Sequence, residues 1–173
     1  MWRKVVNDRF ILIEPCQVDQ DDVMRYRQEF VDRNECVHGG ASLTKISDYG
    51  QWLDKIEENK KGNPPRTELI MVRCSDKKIV GMTNIRHSLV DGYEVCGGHI
   101  GYSIRPTERG QGYGNIILEL SLKYCKELGI QRVLMTCDKD NIASKKVIQK
   151  NGGVFENSIT LGDETIERYW ITF

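Results

Sequence analysis

The residues best suited to chemistry lie in one stretch, Gly97 to Gly114, which reads GGHIGYSIRPTERGQGYG. Arg109 is followed by glycine at alternate positions, Gly110, Gly112 and Gly114. The pattern predicts a strand, a short turn and a glycine-rich loop opening directly into a helix. Such a loop can turn several backbone N–H groups toward an anion, and the helix behind it adds the positive end of its dipole. A dinucleotide fingerprint would need G-x-G-x-x-G, but Asn115 occupies the place of its last glycine. A P-loop would need Gly-Lys-Ser/Thr, which the chain lacks. The bland reading is a tight strand-to-helix turn that binds nothing.

The elements that must position this loop follow from periodicity. Phe10 to Glu14 is a short apolar run closed by Pro15 and predicts a strand. Asp19 to Asp22 can cap a helix carrying Val23, Tyr26, Phe30 and Val31, and Ser47 or Asp48 a second one carrying Trp52, Leu53 and Ile56. Gly62-Asn63-Pro64-Pro65 is a break, after which Leu69–Cys74, Ile79–Leu89 and Val95–Ile104 read as three strands of an antiparallel meander, with Asp91-Gly92 as a hairpin signal. A helix over Gly112–Leu128 follows, stopped by Gly129. Then come a strand over Gln131–Cys137, a short helix capped by Asn141, and a closing hairpin turned at Gly162-Asp163. The order β, α, α, β, β, β, α, β, α, β, β predicts a mixed α/β sheet with helices on its faces, its strands from Ile100 and through Val133 parallel.

With 173 residues the chain is the size of one domain, 1–173. Lys plus Arg and Asp plus Glu number 25 each, which gives no electrostatic footprint for nucleic acid or a membrane surface. The six cysteines show no CxxC spacing and no His at metal-ligand spacing, so no metal site is expected and reduced, mostly buried thiols are. The N-terminus lacks an apolar signal core and no stretch approaches a membrane span, so a cytoplasmic location is expected.

Arg109, Gly112 and Gly114 fit Q/R-x-x-G-x-G/A between a strand and a helix. Together with GHIGYSIRP, RGQGYG, CDKDNIASKKVIQKNGG and a terminal RYWI, this resembles the GNAT superfamily of N-acetyltransferases, over nearly the whole chain from about Phe10. The resemblance implies that acetyl-CoA is the donor. Arg109, Gly110, Gln111, Gly112, Tyr113 and Gly114 would cradle its pyrophosphate. Tyr102, Ser103 and Ile104 would pair with the pantetheine arm, and Asn141 would bond it with Ser144 nearby. The implied reaction is transfer of the acetyl group to a primary amine on a small molecule or peptide, by direct attack in a ternary complex. A longer acyl-CoA donor, and a CoA-binding interaction module without turnover, stay open as alternatives. The oligomeric state, monomer or homodimer, stays open too.

Acetylating an amine requires it neutral, at a cost of about 4–5 kcal/mol for a lysine-like ammonium at pH 7, so a base must take its proton. The family often places Glu where this chain has His99. That makes His99 the candidate base, directly or through water, with a fixed structural hydrogen bond as the competing role; Glu94 is the second candidate. The usual thiolate acid is a Tyr on the helix after Asn141, but that position is Ile148. Cys137 is a conceivable acyl-carrying nucleophile with no recognisable activating base beside it. His38, between Val37 and Gly39-Gly40, could touch the acceptor or lie in a surface loop.

Overall fold

The computed structural model describes residues 5–6, 9–90 and 92–173. The elements are β1 (Val5–Val6), β2 (Phe10–Ile13), α1 (Gln20–Val31), α2 (Tyr49–Lys60), β3 (Arg66–Arg73), β4 (Ile79–Arg86), β5 (Ile100–Ile104), α3 (Tyr113–Glu127), β6 (Arg132–Asp138), α4 (Ile142–Lys150), β7 (Val154–Leu161) and β8 (Glu164–Thr172). The order is the expected one with the short β1 added. Asp19 caps α1 by accepting from the N–H groups of Asp21 and Asp22, and Asp48, rather than Ser47, caps α2.

The strands form two sheets instead of one. β1 to β5 make a meander in sequence order, and β6, β8 and β7 make a second sheet with β8 central. Every ladder among the described residues is antiparallel. β5 and β6 are joined only near one end, where the His99 N–H donates to the Leu134 carbonyl and the Leu134 N–H donates to His99 Nδ1. Residues of both strands line one cavity. The ladder expected to join them in a single mixed sheet does not form.

The central strands are buried on both faces. Leu69 and Met71 of β3 pack with Ile117, Leu118 and Leu120 of α3. The alternate residues Ile70 and Val72 pack with Tyr26, Phe30, Trp52 and Ile56 of α1 and α2. A strand with both faces covered reads as a continuous apolar run, as β3 does.

The third strand starts later than its sequence suggests. Val95 and Cys96 lie in a π-helical turn, Tyr93–Gly97, and β5 begins only at Ile100. The Gly97-Gly98 pair ends the apolar run. Gly98 has φ of 60°, and a Cβ there would sit 2.7 Å from the Leu134 carbonyl oxygen. Asp91, half of the hairpin signal, lies outside the described residues. The thiols also differ from expectation. All six are free, but Cys16, Cys36 and Cys96 are exposed and only Cys125 and Cys137 are buried. No helix among the described residues is long and apolar enough to cross a membrane.

The segment between β5 and α3 is tied down on two sides. Arg105 is buried; its Nε donates to Glu29 Oε1 of α1 at 2.6 Å, and Glu29 also accepts from the Thr107 hydroxyl and N–H. Glu108 is buried between Arg73 and Lys78 and bonds both, at 2.7 and 2.6 Å. Glu29→Ala would strand the Arg105 guanidinium with little but the Ile79 carbonyl. Its expected cost is about 3 kcal/mol, read from urea unfolding with an unchanged m-value, and Glu29→Gln should cost less because it keeps an acceptor for Thr107.

Candidate active site

Two cavities meet in the gap where β5 and β6 separate. The larger, of about 610 Å³, lies over the glycine loop and is lined by Tyr102, Ser103, Ile104, Arg109, Gly110, Gly112, Tyr113, Gly114, Asn141 and Ser144, together with residues of the α1 end. The smaller, of about 330 Å³, reaches inward between β4, β5 and β6. His38, Tyr102, Asn141 and Ser144 line both, so they mark the junction.

The loop owes its shape to glycine at two positions. Gly110 and Gly112 have φ of 77° and 79°, a region that L-residues with side chains rarely adopt. A Cβ at either would meet nothing within 4 Å, so both face open space. Gly114, in the first turn of α3, faces the other way: a Cβ there would come within 3.1 Å of Val147 of α4. The loop therefore exposes backbone, with the first-turn N–H groups of α3 behind it, as an anion site requires.

Arg109 lies along the larger cavity with its guanidinium on Glu35, at 2.5 and 3.1 Å, and its Nε donating to the Ile104 carbonyl. That bond to Arg109 holds the Glu35 carboxyl below the usual carboxylate range. Two loop side chains make bonds or ring contacts beyond the cavity. Gln111 bonds Glu108 and the Tyr113 hydroxyl and lines neither cavity, and the Tyr113 ring packs edge-on against Phe10.

Strand alternation sets which backbone groups of β5 are free. Its ladder to β4 pairs Gly101 with Asn84 and Ser103 with Met82, flanked by the Arg86 N–H to His99 carbonyl and Arg105 N–H to Val80 carbonyl bonds. Gly101 and Ser103 thus turn their backbone to β4, and the N–H and C=O of Tyr102 point to the open edge. The Ser103 side chain bonds the buried Tyr26 hydroxyl at 3.1 Å. Asn141 Oδ1 accepts from the Ser144 N–H at 3.0 Å, capping α4, and the Tyr102 and Ser144 hydroxyls lie 3.4 Å apart. Burial raises the Tyr102 phenol, which keeps it a proton donor.

His99 and Glu94 are not brought to this junction. His99 is 6% exposed and lines neither cavity. Its Nδ1 lone pair is taken by the Leu134 N–H at 2.9 Å, which assigns the ring proton to Nε2. Burial, then the nearby Arg86 charge, push the imidazole down to about 4. A base needs a free lone pair, and this ring has spent its own on the pin between two strands. Glu94 is exposed in the π-helical turn, and its backbone carbonyl accepts from Arg168. Ile148 is fully buried in the core beneath α4. Cys137 lines the smaller cavity, but burial and then Glu167 push its thiol up to about 11, against nucleophile activation.

The structure also places groups outside the glycine loop. His38 is exposed at the junction because Gly39, with φ of 74°, lays its loop directly on β4 and β5. Asn84, Arg86 and Asp138 line the smaller cavity. No group of three or more His, Cys, Asp or Glu among the described residues could hold a metal ion.

The model of the GNAT acetyltransferase domain matches residues 9–154. A Bacillus subtilis protein described as an uncharacterized N-acetyltransferase, YnaD, is 31% identical over 86 residues, spanning 45% of this chain and 51% of its own length. The chain thus matches about half the length of that curated relative. The ribosomal-protein-S5-alanine acetyltransferase of Vibrio fischeri superposes with a TM-score of 0.72 at 17% identity, over 98% of this chain and 96% of that one. The microcin C7 self-immunity acetyltransferase MccE, solved with acetyl-CoA and AMP, superposes at 0.69 and 18% identity, over 96% and 94%. With a glycine loop opening onto a gap between diverging strands, and a domain match over most of its length, the chain belongs to the GNAT acetyltransferase family.

Proposed function

We propose that the protein moves the acetyl group of acetyl-CoA to a primary amine by direct attack within a ternary complex. The observation that carries this reading is the meeting of two cavities at His38, Tyr102, Asn141 and Ser144. One has the shape and lining of a cofactor site, and the other ends beside it as a compartment for an acceptor.

Acetyl-CoA fits the larger cavity as a substrate. Its pyrophosphate would lie on the backbone of Gly110 to Gly114, where nothing fills the space a Cβ would take at Gly110 and Gly112. Arg109 would then exchange part of its contact with Glu35 for phosphate, a charge-assisted bond of the same kind. The open edge of β5 at Tyr102 offers one N–H and one C=O to the amides of the pantetheine arm, as an added strand would use them. Asn141 offers a further polar contact beside it.

The thioester would then reach the junction, with the amine arriving from the smaller cavity. The amine nitrogen forms a bond to the acetyl carbon as the carbon–sulfur bond breaks. We assign the amine proton to the His38 imidazole, the basic side chain at the junction, in place of His99. The departing sulfur takes a proton from the Tyr102–Ser144 hydroxyl pair, which supplies the donor that Ile148 cannot. The compartment between strands keeps the reacting atoms at short range, which contributes through orientation.

The test is release of free thiol from acetyl-CoA across amino acids, polyamines, aminoglycosides and peptide N-termini, paired with thermal shifts. Turnover with at least one amine class is expected. Stabilisation by CoA without thiol release from any of them would favour a binding module, and no stabilisation by acetyl-CoA would remove the cofactor site. Gly112→Ala should raise the acetyl-CoA dissociation constant by about tenfold or more. It should also cost about 1–2 kcal/mol of stability from its positive φ, measured by titration and by unfolding of the free protein.

A further inference from the structure

We propose that the acceptor is an amine that also carries an anionic oxygen group, a carboxylate or a phosphate, recognised by Arg86 with Arg66 behind it. This rests on the smaller cavity being the acceptor compartment, as argued above.

Arg86 ends β4 and lines that cavity. It pairs across the ladder with Arg66 of β3, so both side chains leave the same face of the sheet. The Tyr93 ring serves both cations, at 5.1 Å from the Arg66 guanidinium carbon and 4.3 Å from that of Arg86. The Arg66 fork donates to the Tyr93 hydroxyl at 2.5 Å. Arg86 Nη1 donates to the carbonyls of Gly97 and Gly98, both at 3.0 Å. Its Nε is buried and has no partner.

Among the described residues, neither Arg66 nor Arg86 meets a carboxylate. Arg73, Arg105, Arg109 and Arg168 each do. Two like charges in adjacent strands sharing one ring are costly, and burial already lowers the Arg86 guanidinium below its usual range. Glu68, on the same face beside Asn84, acts on both arginines through space but bonds neither: its hydrogen bonds come from Asn59 and Asn84, and burial pushes its carboxyl up. His99 faces Arg86 as a neutral ring. His38, Asp138, Tyr102, Cys96 and Cys137 are the other charged or titratable groups on the cavity wall. The compartment therefore holds a half-buried guanidinium that no carboxylate contacts, a group suited to carboxylate or phosphate oxygens. An acceptor whose anion sits on Arg86 and whose amine reaches the junction completes this electrostatic arrangement.

The experiment uses the full chain and matched acceptors: alanine against alaninamide, and O-phosphoethanolamine against ethanolamine. Rates of thiol release are compared per neutral amine over a pH series, and thermal shifts by the same acceptors are measured in the presence of CoA. The expected result is a preference of tenfold or more for the anionic member of at least one pair, the winning pair identifying the anion as carboxylate or phosphate. Arg86→Gln should reduce that preference toward unity, and Arg86→Lys should restore part of it. Arg66→Gln, the second variant should Arg86→Gln fold poorly, should weaken it as well. Thiol release with no preference, or a preference that both variants keep, overturns the proposal and leaves the transferase reading standing. Thermal shifts by acceptors without thiol release overturn the transferase reading, while their charge preference still decides for or against Arg86.

Discussion

Gly39→Ala should abolish most of the activity, by a factor of about 100 or more, and destabilise the protein by about 3 kcal/mol. Gly39 has φ of 74°, where any side chain is strained. A Cβ there would lie 2.4 Å from the Gly101 carbonyl oxygen, 2.9 Å from its carbon and 3.0 Å from the Asn84 nitrogen. These are backbone atoms in the β4–β5 ladder, so they cannot swing aside as the end of a flexible side chain could. The loop must lift instead. It carries His38 out of the junction and disturbs the bond from buried Trp52 Nε1 to the Gly40 carbonyl, 2.9 Å long, that seats the loop on α2. His38→Ala separates the two effects. It removes the imidazole without moving the loop, so the rate should fall and change its pH profile while the urea midpoint stays within about 0.5 kcal/mol of wild type. A Gly39→Ala protein with normal stability and rate would show that the loop does not set the site. A His38→Ala protein with an unchanged pH profile would take the imidazole out of the reaction.

How legible these features were in the sequence follows from how local they are. The glycine loop could be read because its signal is a backbone conformation, written in consecutive residues as glycines at two positive-φ positions. The caps at Asp19 and Asn141 could be read for the same reason, since each bonds N–H groups within three residues. The start of β5 could not. Val95 and Cys96 are good strand formers, and what bends them into a turn is Arg86 binding the carbonyls that follow, together with the proximity of β6 at Gly98. The same distance effect hid the smaller cavity. Arg86 lies within the strand run Ile79–Leu89, and only the fold places it beside Arg66 and Tyr93. His38 read as either an acceptor contact or a surface-loop residue, and Gly39, packed on β4 and β5, places it at the junction of the cavities. Gln111 and Tyr113 show the converse: both sit inside a legible motif, yet their side chains are claimed by Glu108 and Phe10 from outside it. His99 has the right residue type in the right strand for a base, and its lone pair is occupied by a residue 35 positions on.

That occupancy yields the second large effect. His99→Ala should destabilise the protein by about 3 kcal/mol, because the Leu134 N–H loses its acceptor in a buried site and the ring leaves a void. Wild-type stability should also depend on pH in a defined window. Burial places the folded His99 at about 4, below the ordinary value of about 6.5 for the unfolded chain. Between these values the unfolded state binds a proton that the folded state refuses. Stability contributed by the neutral ring is therefore full above about 6.5 and lost as pH falls to about 4, by on the order of 2–3 kcal/mol. His87, also lowered by burial, adds to the same loss. Glu68 opposes it, since a carboxyl raised in the fold takes up its proton there first. The measurement is urea unfolding from pH 7.5 to 4.5 for wild type and His99→Asn. The variant should lose most of the slope in this window, and acetyl-CoA binding at pH 7.5 should survive in whatever fraction stays folded. If instead His99→Asn keeps wild-type stability and slope but loses turnover, the imidazole is acting on substrate, and the pin between β5 and β6 is not what this histidine is for.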